Sequence, residues 1–170
     1  MTKKILSYIH LLKPLSFIPA LLIMCTIFSY SSQNGKASGN LSHTISYNIV
    51  KIGNYILQQD ASEELIGIYA KKIEYPVRKL AHMTEYFILA IAIFFPLYLY
   101  ELRGFPLILV TALICIGFAA TDEYHQSFVS GRGPSVRDVG IDSIGVFGAL
   151  IAIHILLNTY LKRKRNSSLF

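Results

Sequence analysis

Four times along its length the chain enters an apolar stretch long enough to cross a bilayer, and each stretch is flanked by a burst of polar side chains. The stretches are Leu15 to Tyr30, Met83 to Tyr100, Phe105 to Thr121 and Val139 to Tyr160. A helix needs roughly 17 to 25 largely apolar residues to span the hydrocarbon core. Inside that core every backbone N–H and C=O must find its partner within the protein, which favours helices. The expected fold class is therefore all-α, a small polytopic membrane bundle of four transmembrane helices. Composition agrees, with 53% hydrophobic and 15% charged residues, against about a quarter charged in soluble domains. At 170 residues, a single domain over 1–170 is expected.

Lys3, Lys4 and Lys13 precede the first stretch, a pattern shared with signal peptides. No small-x-small cleavage site follows in "FSYSSQNGKAS", and Met24 before Cys25 is too large for lipoprotein processing. A retained helix is the expectation. Cys25 and Cys115 both lie within apolar runs and are expected as free, buried thiols.

Net charge is +6, and "KRKR" at Lys162 to Arg165 holds four of the positive charges. A basic run beside an apolar helix is a topology signal with anionic headgroups as neighbours. No groove-entering motif or stacking platform points to nucleic acid. Membrane lipids are the expected partners. The short basic segments are the N-terminus, the turn at Arg103 and the tail 161–170. Four spans put all three on one side, expected to be the cytoplasm. Both termini are then cytoplasmic, and the segments Ser31 to Arg78 and Asp122 to Asp138 lie outside.

The long outer segment, about 41–75, reads as one or two amphipathic helices at the outer surface or capping the bundle. Ile45, Ile49, Ile52 and Ile56 recur at near-helical spacing. Asp60 with Glu63 suggests a capping box for a second helix, and Pro76 is expected to end it.

Under this topology four polar clusters meet at one membrane depth: "SYSSQ" after span one, "VRKLAHMTEY" before span two, "TDEYHQ" after span three and "SVRDVGID" before span four. Charges at such depth are costly and face the bundle interior or a watery cavity. Arg78, His82, Glu85 and Leu89 share one helix face, and so do Asp138, Asp142, Gly145 and Ala149. Asp122 and Gln126 share a face if the third helix continues. Gly145 and Gly148 permit close helix approach. Ser135 with Asp138 is a capping pattern that starts the last helix at Val136. Its free N–H groups beside Arg132 and Arg137 would form an anion-binding corner.

"SSQ", "RKLAHMTEY" and "DEYHQSFVSGRGPSVRDVGIDSIG", in this order between hydrophobic spans, resemble the VanZ-like family of bacterial membrane proteins from about Ser31 to Gly148. The family's recurring positions fall on Arg78, Lys79, His82, Glu85, Tyr86, Asp122, Glu123, Gln126, Arg132, Asp138 and Gly145. Many members carry Asn where this chain has Asp142. Founding members are associated with teicoplanin resistance. The resemblance thus implies a multi-pass protein of the bacterial cytoplasmic membrane with a role in the cell envelope and in antibiotic resistance.

Three readings of the polar cluster stand side by side. In the first it is structural: Arg78, Arg132 and Arg137 pair with Glu85, Asp122, Glu123 and Asp138, and the protein is non-catalytic or binds a partner. In the second His82, Glu85, Asp122 and Glu123, with His125 as a further donor, hold a divalent metal in a membrane hydrolase, although no HExxH-type signature is present. In the third no cofactor is needed. His82, Glu85, Asp122 and Glu123 are candidate acid–base residues. Arg78, Lys79, Gln126, Arg132, Arg137 and Asp138 bind an anionic lipid or lipid-linked envelope component. Asp122 is expected to face the cluster interior, with Glu123 at its rim.

Overall fold

The computed structural model describes residues 13–167. Lys3, Lys4 and the last tail residues, 168–170, lie outside the described residues. A single 3-10 turn, Lys13–Phe17, leads into α1 (Ile18–Ser31), which carries a proline in its first turn, where no N–H is missed. Then follow α2 (Gly35–Ile56), α3 (Glu63–Leu99), α4 (Gly104–Gln126) and α5 (Val136–Ser167). Four helical segments are long and apolar enough to cross a membrane: Lys13–Ser31, Glu63–Leu99, Gly104–Gln126 and Val136–Lys164. Among the described residues there is no strand.

The core is built from small and branched apolar side chains at the crossings of these four segments. Ala20 and Ile27 of α1 meet Leu89, Ala90 and Ile93 of α3, Ala112, Cys115 and Ala119 of α4, and Val146, Ala149 and Leu150 of α5. Small residues let helices approach where lipid gives no hydrophobic drive between them. The large apolar side chains turn outward instead: Leu22, Phe95, Leu113, Ile151 and Leu156 are all exposed, as a lipid-facing surface requires. The most extensive contact is between α3 and α5. There Gly145 packs so closely that a Cβ on it would lie 2.1 Å from the Met83 carbonyl oxygen. That crossing brings the polar face of α3, one turn away, against the first turns of α5.

Helix α3 has 37 residues, about 55 Å of helix against a hydrocarbon core of about 30 Å. Its apolar half is the span. Its polar N-terminal half extends beyond, and α2 folds back antiparallel along it. Tyr47 and Lys51 of α2 both reach Glu63 at the start of α3, and Ser42 meets Arg78 farther along.

Several sequence expectations are corrected here. Pro76 does not end the helix; it sits within α3. Its ring faces outward, so the missing N–H costs a bond on the outer side of the helix rather than a packed contact. The cap of α3 is Ser62, whose hydroxyl accepts from the Leu65 N–H at 3.3 Å, not Asp60. Helix α2 begins well before residue 41, capped by Asn34 accepting from the Ala37 N–H at 2.8 Å. Cys115 is buried, whereas Cys25 is exposed on the outer side of α1. Helix α5 starts at Val136, where the Ser135 hydroxyl accepts from the Asp138 N–H at 3.2 Å.

Candidate functional site

Helix α4 does not stop at its apolar run. It continues to Gln126 and so carries Asp122, Glu123 and Gln126, all buried, into the junction of the helix ends. Asp122 and Gln126, one turn apart, share a face. Asp122 Oδ2 accepts from the Ser31 hydroxyl at 2.6 Å and from the Gln126 amide at 3.0 Å. Gln126 Oε1 in turn accepts from Arg132 Nη1 at 3.2 Å. This chain of bonds ties the end of α1, the end of α4 and the loop before α5. The loop is also locked to α2. The Gly35 N–H donates to the Ser130 carbonyl at 3.0 Å, and a Cβ on Gly35 would lie 2.3 Å from the Gly131 oxygen.

Glu123 faces the other way. Its Oε2 accepts the Ser135 N–H at 3.0 Å, so a carboxylate stands at the N-terminal end of α5. The expected anion-binding corner there is partly filled by the protein's own acid. Lys79 of α3 and Asp138 of α5 form an ion pair at 2.7 Å. On α3, His82 Nδ1 lies 3.5 Å from Glu85 Oε2 and Arg78 Nη2 lies 3.0 Å from Glu74 Oε1.

These side chains enclose a polar cleft of about 180 Å³. Its walls include Arg78, Lys79 and His82 from α3, Glu123 and Gln126 from α4, Arg132 from the loop, and Asp138 and Asp142 from α5. Asp122 sits behind the wall, 1% exposed; among the described residues neither its Oδ1 nor the buried Tyr86 hydroxyl has a hydrogen-bond partner. Arg132 is half-buried. Burial, with the Arg78 charge nearby, pulls its guanidinium below its ordinary pKa against the opposing pull of Asp122 and Glu123. It makes no ion pair among the described residues.

The cluster thus gathers Arg78, Lys79, His82, Gln126, Arg132 and Asp138 with the acids Glu123 and Asp142. Glu85 lines an adjoining groove rather than the cleft. Arg137 does not join: it is exposed on the outer side of α5 and pairs with no acid among the described residues. His125 also turns away, stacking on Phe28 with ring centroids 4.2 Å apart and meeting Ser32 at 3.2 Å. The expected arginine partners of the acids are replaced throughout. Asp122 is held by Ser31 and Gln126, Glu123 by a backbone N–H, and Asp138 by a lysine. Glu74 and Ser42, which hold Arg78, did not figure in the sequence reading. The Glu74–Arg78 spacing of four was the available signal. Among the described residues no three His, Cys, Asp or Glu side chains converge where a metal ion could sit.

Fold and site together define a polytopic helical membrane protein with one polar cleft sunk between its helix ends. The chain belongs to the VanZ/LLP1 family, which it matches over residues 16–158, as the ordered motifs implied. That range contains every residue of the cleft. No curated protein and no solved structure matches the chain at a significant level.

Proposed function

We propose that this protein resides in the bacterial cytoplasmic membrane with both termini in the cytoplasm, and that its cleft, at the outer face, binds an anionic lipid or lipid-linked envelope component. The observation that carries the reading is Arg132: a half-buried guanidinium on the cleft wall, held by an amide oxygen and, among the described residues, by no carboxylate. A desolvated, unpaired cation is costly unless an anion meets it. Arg78 lines the same cleft, and together they suit a phosphate. A part in teicoplanin resistance is proposed from the resemblance to the family's founding members alone.

A second reading, chemical modification of that ligand, is favoured by His82. Its ring lines the cleft beside Glu85, an arrangement that can take up and return a proton without a metal. Binding of phosphatidylglycerol to the detergent-purified protein tests the first reading. Arg132→Gln should weaken it on the order of tenfold or more, and Arg137→Gln should leave it unchanged. Equal binding by wild type and both variants would favour a purely structural polar cluster. A chelator should leave binding and thermal stability unchanged. Loss of either on chelation, restored by zinc or manganese, would turn the site toward the metal-dependent reading.

A further inference from the structure

Two cavities open side by side at this end of the bundle and share Arg78, His82 and Arg132. Their chemistry differs. Beyond the shared residues the cleft is walled by polar groups, with the carboxylates of Glu123, Asp138 and Asp142 among them. The second cavity, about 340 Å³, is a groove whose apolar wall is Tyr30 at the end of α1, Leu41 and Ile45 of α2, and Val77 and Ala81 of α3, with Glu85 and the serines of α2 at its polar side. That volume falls in the range of about 300 to 1,000 Å³ usual for small-molecule sites. Leu41 and Ile45 are 45% and 43% exposed, so the groove opens sideways past an apolar lip.

Asp142 supplies the second observation. It is 3% exposed, lines the cleft, and has no hydrogen-bond or ion-pair partner among the described residues. Its neighbours are committed elsewhere: Lys79 pairs with Asp138, and Arg132 bonds Gln126. A buried carboxylate without a donor is costly, and the open space before it is the cleft. The two adjoining cavities therefore offer a largely apolar groove, a guanidinium at Arg132 that pairs with no carboxylate among the described residues, and an unmatched acceptor.

Resting on the lipid-binding reading above, we propose that the ligand is a phospholipid whose head extends beyond the phosphate and carries hydroxyl or amine donors. Its chain lies in the α1–α2–α3 groove. Its phosphate lies between Arg78 and Arg132. The donors of its head reach Asp142. The ligand enters from the membrane surface, past Leu41 and Ile45, with its chain drawn up beyond the hydrocarbon core.

The test compares three ligands on the detergent-purified full chain by native mass spectrometry: phosphatidylglycerol, phosphatidic acid with the same acyl chains, and water-soluble glycerophosphoglycerol. Phosphatidylglycerol should bind about tenfold more tightly than phosphatidic acid, the effect of one hydrogen bond to a charged group. Asp142→Asn should abolish that preference while leaving phosphatidic acid binding in place. Ile45→Ser, on an exposed position, should weaken both lipids and bring them toward the soluble compound. Phosphatidic acid binding as tightly as phosphatidylglycerol, with both lost in Arg132→Gln, would overturn this assignment and leave the lipid-binding reading intact. Glycerophosphoglycerol binding as tightly as the lipid would overturn the role of the groove. No binding of any of the three would remove both readings. If Asp142→Asn does not fold, the wild-type comparison decides alone.

Discussion

Ser31 and Asp122 stand 91 positions apart in the chain, yet the Ser31 hydroxyl donates to Asp122 Oδ2 at 2.6 Å with both groups buried. This bond joins the end of α1 to the end of α4 and fixes the carboxylate that Gln126 also holds. Ser31→Ala would leave Asp122 with Gln126 alone. A loss of about 1 to 2 kcal/mol is expected, at the upper end for interhelical hydrogen bonds in membrane proteins. Ser32→Ala, at an exposed position, should change stability by less than about 0.5 kcal/mol. Denaturation in mixed micelles measures both. Equal effects would mean that the Ser31 bond adds nothing to stability.

Lys36 and Ser130 flank the contact between the α2 start and the loop before α5, where the Gly35 N–H meets the Ser130 carbonyl. Cysteines placed at these two positions, in a chain lacking Cys25 and Cys115, must therefore react from the same side of the membrane. The expected side is the outside, because basic residues crowd the opposite ends of the spans. Labelling of intact cells by an impermeant maleimide checks both statements. Reaction at one site only would contradict the fold. Reaction at both, but only after permeabilisation, would reverse the orientation and leave the fold standing.

The parts of this structure legible in the sequence are those that local rules decide. The four spans follow from apolar length, and the start of α5 from Ser135 and Asp138, because both depend on residues close in the chain. The polar cluster was legible as a meeting place, since four polar bursts at one depth have few ways to avoid water-poor surroundings except by facing each other. Its pairings were not legible. Which partner Asp122 takes depends on the rotation of α1 and α4 about their axes, and that is set by the packing of Ile27, Ala119 and their neighbours in the core one turn below the site. Arg132 and Arg137 look equivalent as charges, but one lies in the loop folded over the cleft and the other on the outward side of the first turn of α5. Pro76 misled for a related reason. The rule that proline breaks helices weighs one lost bond, whereas here packing against α2 on one side and continuity with the span on the other hold the helix through it.

Gly145 and Gly148 lie on the same helix and differ sharply in what a methyl group would meet. At Gly145 it would lie 2.1 Å from the Met83 carbonyl oxygen; at Gly148 its nearest contact is Phe87 Cδ2 at 3.7 Å. The first is a backbone collision that no rotamer relieves, the second an ordinary contact. Gly145→Ala should therefore cost about 3 kcal/mol or more, above the usual range for overpacking, and should lower the yield of monodisperse protein. Gly148→Ala should stay within about 1 kcal/mol of wild type. Thermal unfolding in detergent, followed by size-exclusion chromatography, distinguishes them. Matching behaviour of the two variants would mean that α3 and α5 can separate at little cost, and with them the two walls of the cleft.

Lys79 and Asp138 close the cleft between those same helices. Their 2.7 Å pair leaves the side chains 15% and 24% exposed, enough burial to limit screening by solvent. Removing one partner should do more harm than removing both, because the survivor keeps its desolvation cost without its counter-charge. Lys79→Met has a further consequence: Asp138 is left without its counter-charge beside Asp142 and Glu123 on the cleft wall, and each disfavours an anion. The expected pattern is that Lys79→Met weakens both stability and binding of phosphatidylglycerol, Asp138→Asn weakens stability but strengthens binding, and the double variant recovers about 1 to 2 kcal/mol of stability relative to the sum of the single losses. A double-mutant cycle on thermal stability, run beside lipid binding on the same four proteins, supplies both readouts. Additive losses would reduce the pair to a surface contact. Weaker binding in Asp138→Asn than in Lys79→Met would mean that the carboxylate, rather than the ammonium, is the group the ligand meets at the mouth of the cleft.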